Sequence, residues 1–398
     1  MSAKVFFTDM RCPVGTSLLD KLDRLMLSAG IDTIDFEGRF TAIKMHFGEP
    51  GNLSFLRPNF ARCVARRVEK LGGRPFLTDC NTLYVGRRKD ALEHLSAAFE
   101  NGFSPLAAGC HVIIADGLKG TDDVEVPIPG GRVLKTAFIG RAVMDADVFI
   151  SLTHFKGHEM TGFGGAIKNI GMGCGSRAGK MAMHCTGKPT VKRAECRACG
   201  TCRRYCAQDA ISFTPRGEDE ACAKAPNARR AARIDHDRCV GCGRCIGVCS
   251  FSAIQANDYS AGDDVNVRMA EYTAAVLAGR PHFHIAIVNQ VSPCCDCHGE
   301  NDSAIVPDIG MFASFDPVAL DRACIDAVNA APAISTSAAG DALRAAREGA
   351  EEGGARHHGD HFGAIHPSTN WRIQLEHAEA MGLGTMDYEL ARVEPETK

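Results

Sequence analysis

The segment CRACGTCRRYC sets Cys196, Cys199, Cys202 and Cys206 at C-x2-C-x2-C-x3-C, and CVGCGRCIGVC repeats that spacing at Cys239, Cys242, Cys245 and Cys249. No other feature limits so tightly what this part of the chain can become. A single shift of 43 residues superposes the two runs, and it also maps Val191 onto Ile234, Gly200 onto Gly243 and Ala210-Ile211 onto Ala253-Ile254. The duplication therefore extends beyond the cysteines, as it does when a structural unit is repeated.

Two-residue spacers let three thiolates wrap one face of a cubane and reach three of its irons. In this pattern the last cysteine of each run serves the other cluster. The expected ligand sets are Cys196, Cys199, Cys202 and Cys249 for one 4Fe-4S cluster, and Cys239, Cys242, Cys245 and Cys206 for a second. These residues resemble the bacterial two-cluster ferredoxins, which implies a small α+β domain over residues 187–257. Two departures stand out. The proline that usually follows the fourth cysteine is Ala207 in one run and Ser250 in the other, which bears on the rigidity of the exit turn and supplies no ligand. The 32 residues between Cys206 and Cys239 also exceed a minimal ferredoxin, so RGEDEACAKAPNARR reads as a surface excursion with Cys222 a bystander. Structural zinc on paired C-x2-C motifs is the competing reading, and two regular four-cysteine runs fit it poorly.

The chain has 398 residues, too many for a bare ferredoxin, and its 45% hydrophobic and 23% charged content is that of a folded protein. Its net charge of -3, with arginines scattered among acids, argues against a nucleic-acid partner. MSAKVFFTDMR lacks the charged flank and apolar stretch of a secretory signal, and no run reaches the length of a membrane span. The expected location is the cytoplasm, where 19 cysteines favour metal thiolates over disulfides.

Outside the cysteine repeat the chain alternates short β-branched runs with helical periodicity. Val5 to Phe7, Ala42 to Phe47, Pro75 to Thr78, Val112 to Ala115, Val148 to Leu152 and Phe283 to Val288 read as strands. Ser17 to Ala29, Arg57 to Leu71, Lys89 to Glu100, Val267 to Leu277 and Pro317 to Val328 read as helices, with a short helix in Ala331 to Gly354 and a closing one in Pro367 to Leu390. The prediction is a layered α/β core in two parts, 1–186 and 258–398, interrupted by the ferredoxin-like insertion.

Residues 151–185, SLTHFKGHEMTGFGGAIKNIGMGCGSRAGKMAMHC, pack histidines, lysines and cysteines into a glycine-rich frame that matches neither phosphate-loop pattern. So many glycines imply unusual backbone angles or close approach to something bound; tight turns between packed elements are the plainer account. HFKGHEMTGFGGAIKNIGMGCGSRAGK, CDCHGENDSAIVPDIGMFASFDPVALD and HPSTNWRIQLEHAEAMGLG resemble the iron-sulfur-centre proteins of domain-of-unknown-function family 362. That resemblance implies an α/β core interrupted by ferredoxin-type clusters and brings no reaction with it. A fainter similarity runs to the nickel-pincer lactate racemases, whose histidine and GG-x-K stretch looks like His158 with Gly164-Gly165-Ala166-Ile167-Lys168, here with one extra residue. It implies Lys168 as a holder of a substrate anion or cofactor and His154 or His158 as a proton relay. A lysine on a solvated surface is the bland alternative.

PCCDCHGEND gathers Cys294, Cys295, Asp296, Cys297, His298 and Asp302 at the carboxyl end of a strand, where open α/β sheets bind ligands. Cys295 and Cys297 can share a metal, with Cys174 or Cys185 completing a third centre, or form a reactive pair; inert buried cysteines are the alternative. Among the later acids, Asp316 reads as a helix N-cap ahead of Pro317, and HHGDH at 357–361 as a solvent-exposed loop.

The function expected is an iron-sulfur protein that passes electrons through two 4Fe-4S clusters to a site or a redox partner protein at the α/β core, and so a candidate oxidoreductase with a small-molecule substrate. A non-redox racemase-like or lyase-like enzyme with structural or sensing clusters, and a cluster-assembly scaffold, stay open beside it. No Rossmann fingerprint supports nicotinamide binding, and flavin use is not legible in the sequence.

Overall fold

The alternating apolar runs assemble into one eight-stranded sheet: β1 (Ala3–Asp9), β2 (Phe40–Lys44), β3 (Arg74–Asp79), β4 (His111–Ile114), β5 (Val148–His154), β6 (His282–Val288), β7 (Gly310–Ser314) and β8 (Tyr388–Arg392). The computed structural model describes residues 2–83, 86–184, 188–206, 208–217, 222, 225, 228–239, 244–249, 251, 253–255, 262–348, 359–367 and 369–394. The strand order is β8-β1-β7-β6-β5-β2-β3-β4. Strands β6, β5, β2, β3 and β4 run parallel, and β7 alone is reversed, antiparallel to both β1 and β6.

Side chains alternate across the sheet as the pleat requires. Ile43, Leu77, Ile150, Leu152 and Ile285 face the helices Leu18–Ser28 and Pro58–Lys70. Ala42, Phe76, Phe149, Ala286 and Phe312 face the helices Ala166–Cys174, Gly262–Leu277 and Pro317–Ala330. The result is the layered α/β core that the sequence predicts. The helix ends are specified locally: Ser17 and Asp20 form a capping box, Asp90 caps Ala91–Glu100, and Asp316 accepts from Val318 and Ala319 ahead of Pro317 at N1.

Several elements differ from expectation. β7 and β8 are strands that the pattern did not mark, and residues Asp123–Pro127 and Thr136–Gly140 form a separate hairpin. The glycine-rich stretch, read as turns or special backbone, is largely helical, as Ala166–Cys174 and Arg177–His184. Its glycines serve close approach: a Cβ on Gly165 would lie 2.2 Å from Asp321 Oδ1, and one on Gly171 2.2 Å from the Met269 carbonyl. Only Gly162 in this stretch has a positive φ, +82°, at the turn joining the short strands Lys156–His158 and Gly162–Gly164.

Between residues 188 and 255 the chain leaves the central sheet. Val191 pairs with Ile254, and Ile211 pairs with Ile234. The 43-residue shift that aligns the cysteine runs exchanges these two pairs, so the duplicated sequence folds with pseudo-twofold pairing. Ile211, Ala231, Ala232, Ile246, Ala253 and Ile254 form an apolar cluster with Cys196, Cys202 and Cys249, and Leu83 and Met181 of the core join it. No helix among the described residues is long and apolar enough to cross a membrane.

Candidate functional site

In the sheet order, the chain moves from β2 outward to β3 and β4, then returns to place β5 on the other side of β2. This reversal is a topological switch point, where an open α/β sheet leaves a crevice beyond the carboxyl ends of its strands. A cavity of about 690 Å³ lies there, lined by Lys44 and His46 from β2 and its following loop, Asp79 and Cys80 at the end of β3, Lys156 and His158 after β5, and Cys295 and Cys297 after β6. Lys168, Lys180 and His184 enter from the two glycine-rich helices.

Lys168 is positioned from far along the chain. The buried Asp321 carboxylate accepts from the amides of Ala166 (2.6 Å) and Ile167 (3.0 Å), capping the helix that carries the lysine. Burial pushes the Asp321 carboxyl up to about 7, against the lowering effect of these amides. Lys168 Nζ then lies 3.2 Å from Cys295 Sγ. Burial would depress the lysine, but Cys295, Cys297 and Glu159 outweigh it and hold the ammonium above its usual range. The neighbouring Cys297 thiol, with Lys168 and Lys156 nearby, holds Cys295 well below an ordinary thiol, while Cys297 itself is pushed well above one.

The loop bearing these cysteines is anchored through Asp296, which is fully buried. Its carboxylate meets His154 Nδ1 at 2.9 Å and Lys156 Nζ at 3.2 Å, and its carbonyl accepts from the Glu49 amide at 2.9 Å. Burial alone would raise the Asp296 carboxyl, and its contacts with His154 and Lys156 instead hold it below the carboxylate range. His154 Nε2 is 2.8 Å from the Asn289 carbonyl, so both of its ring nitrogens are engaged and it is not among the cavity-lining residues. The structure thus gives His154 a holding position, away from the relay expected of it.

His158 does line the cavity. Its Nδ1 accepts from the amides of Met160 (3.1 Å) and Thr161 (3.2 Å), which leaves the ring proton on Nε2. His46 is locked in the same tautomer, its Nδ1 accepting from Gly48 at 3.0 Å. Burial, then the charge of Lys168, keeps His158 neutral, and burial with Lys168 and Lys180 lowers His184 to about 4. On the other wall Lys44 contacts Asp79 at 3.0 Å and Asn169 at 2.9 Å, and Arg88 contacts Glu49 at 2.7 Å. His298 and Glu159 pair at 2.9 Å on the rim.

His158, Cys295 and Cys297 bring one ligand atom each to within 4.8 Å of one another, a grouping able to hold a metal ion. The third member is His158, which spacing alone did not pair with the cysteines. Cys174, proposed as that member, lies elsewhere, buried at the end of its helix with its carbonyl 3.3 Å from Cys80 Sγ. Cys185, like His357 and His358 of the HHGDH run, lies outside the described residues. The buried Trp371 of the tail segment packs on Gly162 and Phe163 beneath the hairpin that carries His158, and so has a structural place.

The other cysteine set is separate. Cys196, Cys199, Cys202 and Cys249 line one small cavity together with Phe213, Phe251 and Ile254. Amides point at the sulfurs: Ala198 and Ala232 at Cys196 (both 3.4 Å), Ala210 at Cys206 and Ala253 at Cys249 (both 3.3 Å). The last two bonds are related by the same internal repeat. Four cysteines lining one cavity, with backbone N–H groups directed at Cys196 and Cys249, match the ligand number of one iron-sulfur cluster. Cys239 and Cys245 are half-buried, Cys245 within the short helix Arg244–Gly247, and Cys242 lies outside the described residues.

One helix touches both regions. Arg177–His184 turns Lys180 and His184 to the large cavity and Met181 to the cysteine-rich cluster. Lys89 Nζ also donates to the Cys249 carbonyl at 2.6 Å.

A family model described as a domain of unknown function (DUF362) matches residues 41–326. Two solved structures are similar: the lactate racemase apoprotein from Thermoanaerobacterium thermosaccharolyticum, at 13% identity over 72% of this chain and 51% of that one, with a TM-score of 0.35, and a structural-genomics protein from Thermotoga maritima, at 12% identity over 77% and 57%, also with a TM-score of 0.35. The chain spans about half the length of the racemase apoprotein. No curated protein matches it.

Proposed function

The chain belongs to the family described as a domain of unknown function (DUF362), and we propose that within it this chain is an iron-sulfur redox protein whose cysteine-rich segment feeds electrons to the pocket at the sheet's switch point. Cys196, Cys199, Cys202 and Cys249 would hold one 4Fe-4S cluster, and Cys239, Cys242, Cys245 and Cys206 the second, in a ferredoxin-like insertion over residues 187–257. Such clusters supply single electrons. The observation that carries the reading is the convergence of the first four cysteines, taken from both runs, on one amide-lined cavity.

The protein's own residues then do the rest. Arg177–His184 links the two regions through Met181 on one side and Lys180 and His184 on the other. Lys168 and the Nε2–H donors of His158 and His46 offer positive charge and hydrogen bonds to an anionic or polar small molecule beside Cys295. Leu83 and Met181 of the core pack into the apolar cluster with Cys196, Cys202 and Cys249.

Anaerobic purification with iron and acid-labile sulfide counts, followed by EPR of the dithionite-reduced protein, tests this. The expected result is about eight irons per chain and reducible cubane signals. A colourless protein holding zinc, or clusters silent at all accessible potentials, would overturn the electron-transfer reading.

A further inference from the structure

Cys295 and Cys297 stand on one loop, with Asp296 between them fixed by His154, Lys156 and the Glu49 amide. Their sulfurs lie within 4.8 Å of each other, and both residues line the cavity. With His158 in the same group, a metal ion is the first reading. Two features of the donor set argue against it. A neutral imidazole ligates through its unprotonated nitrogen, and in His158 that nitrogen, Nδ1, is already taken by the amides of Met160 and Thr161. The ammonium of Lys168, 3.2 Å from Cys295 Sγ, would in addition repel a cation placed on that sulfur.

A thiolate held by a lysine, with a second thiol in reach, is the arrangement of thiol–disulfide exchange. We propose that Cys295 and Cys297 are a redox-active dithiol that closes into a disulfide on reducing a small disulfide substrate, with Cys295 attacking and Cys297 resolving. The inference rests on the reading of this pocket as the redox site and does not require the clusters to be filled. In the first step Cys295 S⁻ attacks one sulfur of R–S–S–R, the substrate S–S bond breaks, RS⁻ leaves and a Cys295–S–S–R mixed disulfide forms. Cys297 then passes its proton to the departed thiolate and attacks Cys295 Sγ, releasing the second RS⁻. The protein pair loses two electrons and the substrate gains them. A bridge across one intervening residue closes a small, strained ring, which favours its re-reduction and suits a cycling centre over a structural one.

The geometry assigns unequal roles. Cys295 is the sulfur beside Lys168, and its attack leaves that ammonium next to the leaving thiolate. Cys297 is the more exposed of the two, and its sulfur lies within reach of Cys295 Sγ.

The test uses the full-length protein, purified anaerobically and equilibrated at set ratios of oxidised to reduced glutathione. After acid quenching and alkylation, the peptide carrying both cysteines is weighed. The expected result is an internal disulfide whose fraction follows the glutathione ratio reversibly. Cys297→Ser should accumulate glutathione on Cys295, and Cys295→Ser should accumulate none on Cys297. A pair that stays dithiol at every ratio, or that resists alkylation until a chelator strips a metal from it, would overturn the proposal. Iron content is measured on the same samples. A disulfide that forms in iron-free protein leaves this inference standing and sinks the cluster reading, and full iron with no disulfide does the reverse.

Discussion

The two cysteine-bearing regions are built by opposite strategies. In residues 188–255 the cysteines lie close in sequence, the elements are short, and several sulfurs are half-buried or exposed. At the pocket, two cysteines on one loop depend on lysines delivered by a hairpin after β5 and a helix after it, and on a backbone amide from the loop after β2. The first arrangement can be specified by local spacing. The second exists only once the whole sheet has closed, so its chemistry is tied to global stability in a way that the first is not.

Four experiments would break or sharpen this contrast. The largest effect is expected from Cys202→Ser, which should lower iron from about eight to about four per chain, by the ligand count of paired cubanes, while thermal melting of the α/β core and the Cys295–Cys297 peptide chemistry persist. Loss of core melting would erase the distinction. The converse change, Asp296→Ala, leaves the buried Lys156 without its counter-charge and His154 Nδ1 without its partner. Chemical denaturation should show a loss of about 3–5 kcal/mol, the usual cost of breaking a buried ion pair, with iron content unchanged in the folded fraction.

Smaller effects follow at the pocket alone. Lys168→Met should slow alkylation of Cys295 by iodoacetamide at pH 7 by about tenfold or more, since each pKa unit is tenfold in thiolate near that limit, and should leave the rates at Cys196 and Cys199 in iron-free protein untouched. Equal rates would remove Lys168 from the thiolate's environment. The smallest effect concerns Asp321, raised from 3.8 to about 7 in the folded protein. Between those values the folded state keeps a proton that the unfolded state has lost. Its contribution to stability is therefore complete below about pH 4 and is lost as the pH rises through the folded value of about 7. Urea unfolding across this range should show that slope in the wild type and a flatter profile in Asp321→Asn.

How far the sequence reveals each region follows from the same contrast. The duplication was legible because the cysteine spacing repeats with its flanks, whereas the pairing of Val191 with Ile254 and Ile211 with Ile234 that relates the halves is seen only in the fold. The parallel strands were legible because β5, buried on both faces, reads as one apolar run. β7 and β8 were missed: GMFAS is short and glycine-led, and YELAR alternates too weakly to mark a strand at the sheet's edge. The glycines of residues 164–173 suggested turns because their purpose, letting Asp321, Met269 and Lys44 come close, depends on residues distant in sequence. For the same reason His154 and His158 looked alike in the sequence, and only their partners separate a buried holding residue from one that faces the cavity. Asp321 carried a weak signal, as an acid inside an otherwise apolar helix face, and its partner helix could not be guessed from it.

The position of β6 in the sheet has a consequence for synthesis. β6 lies against β5, yet the chain must emit the entire cysteine-rich segment before β6 emerges. On the ribosome the eight cysteines are therefore available while the central sheet still lacks its neighbour for β5, and Cys295 and Cys297 come later still. Under the proposed cluster assignment, iron held by the eight cysteines would be bound before the thiol pocket exists. Release of chains halted before residue 282 would reveal this order directly, as iron-bearing products with no protected pocket.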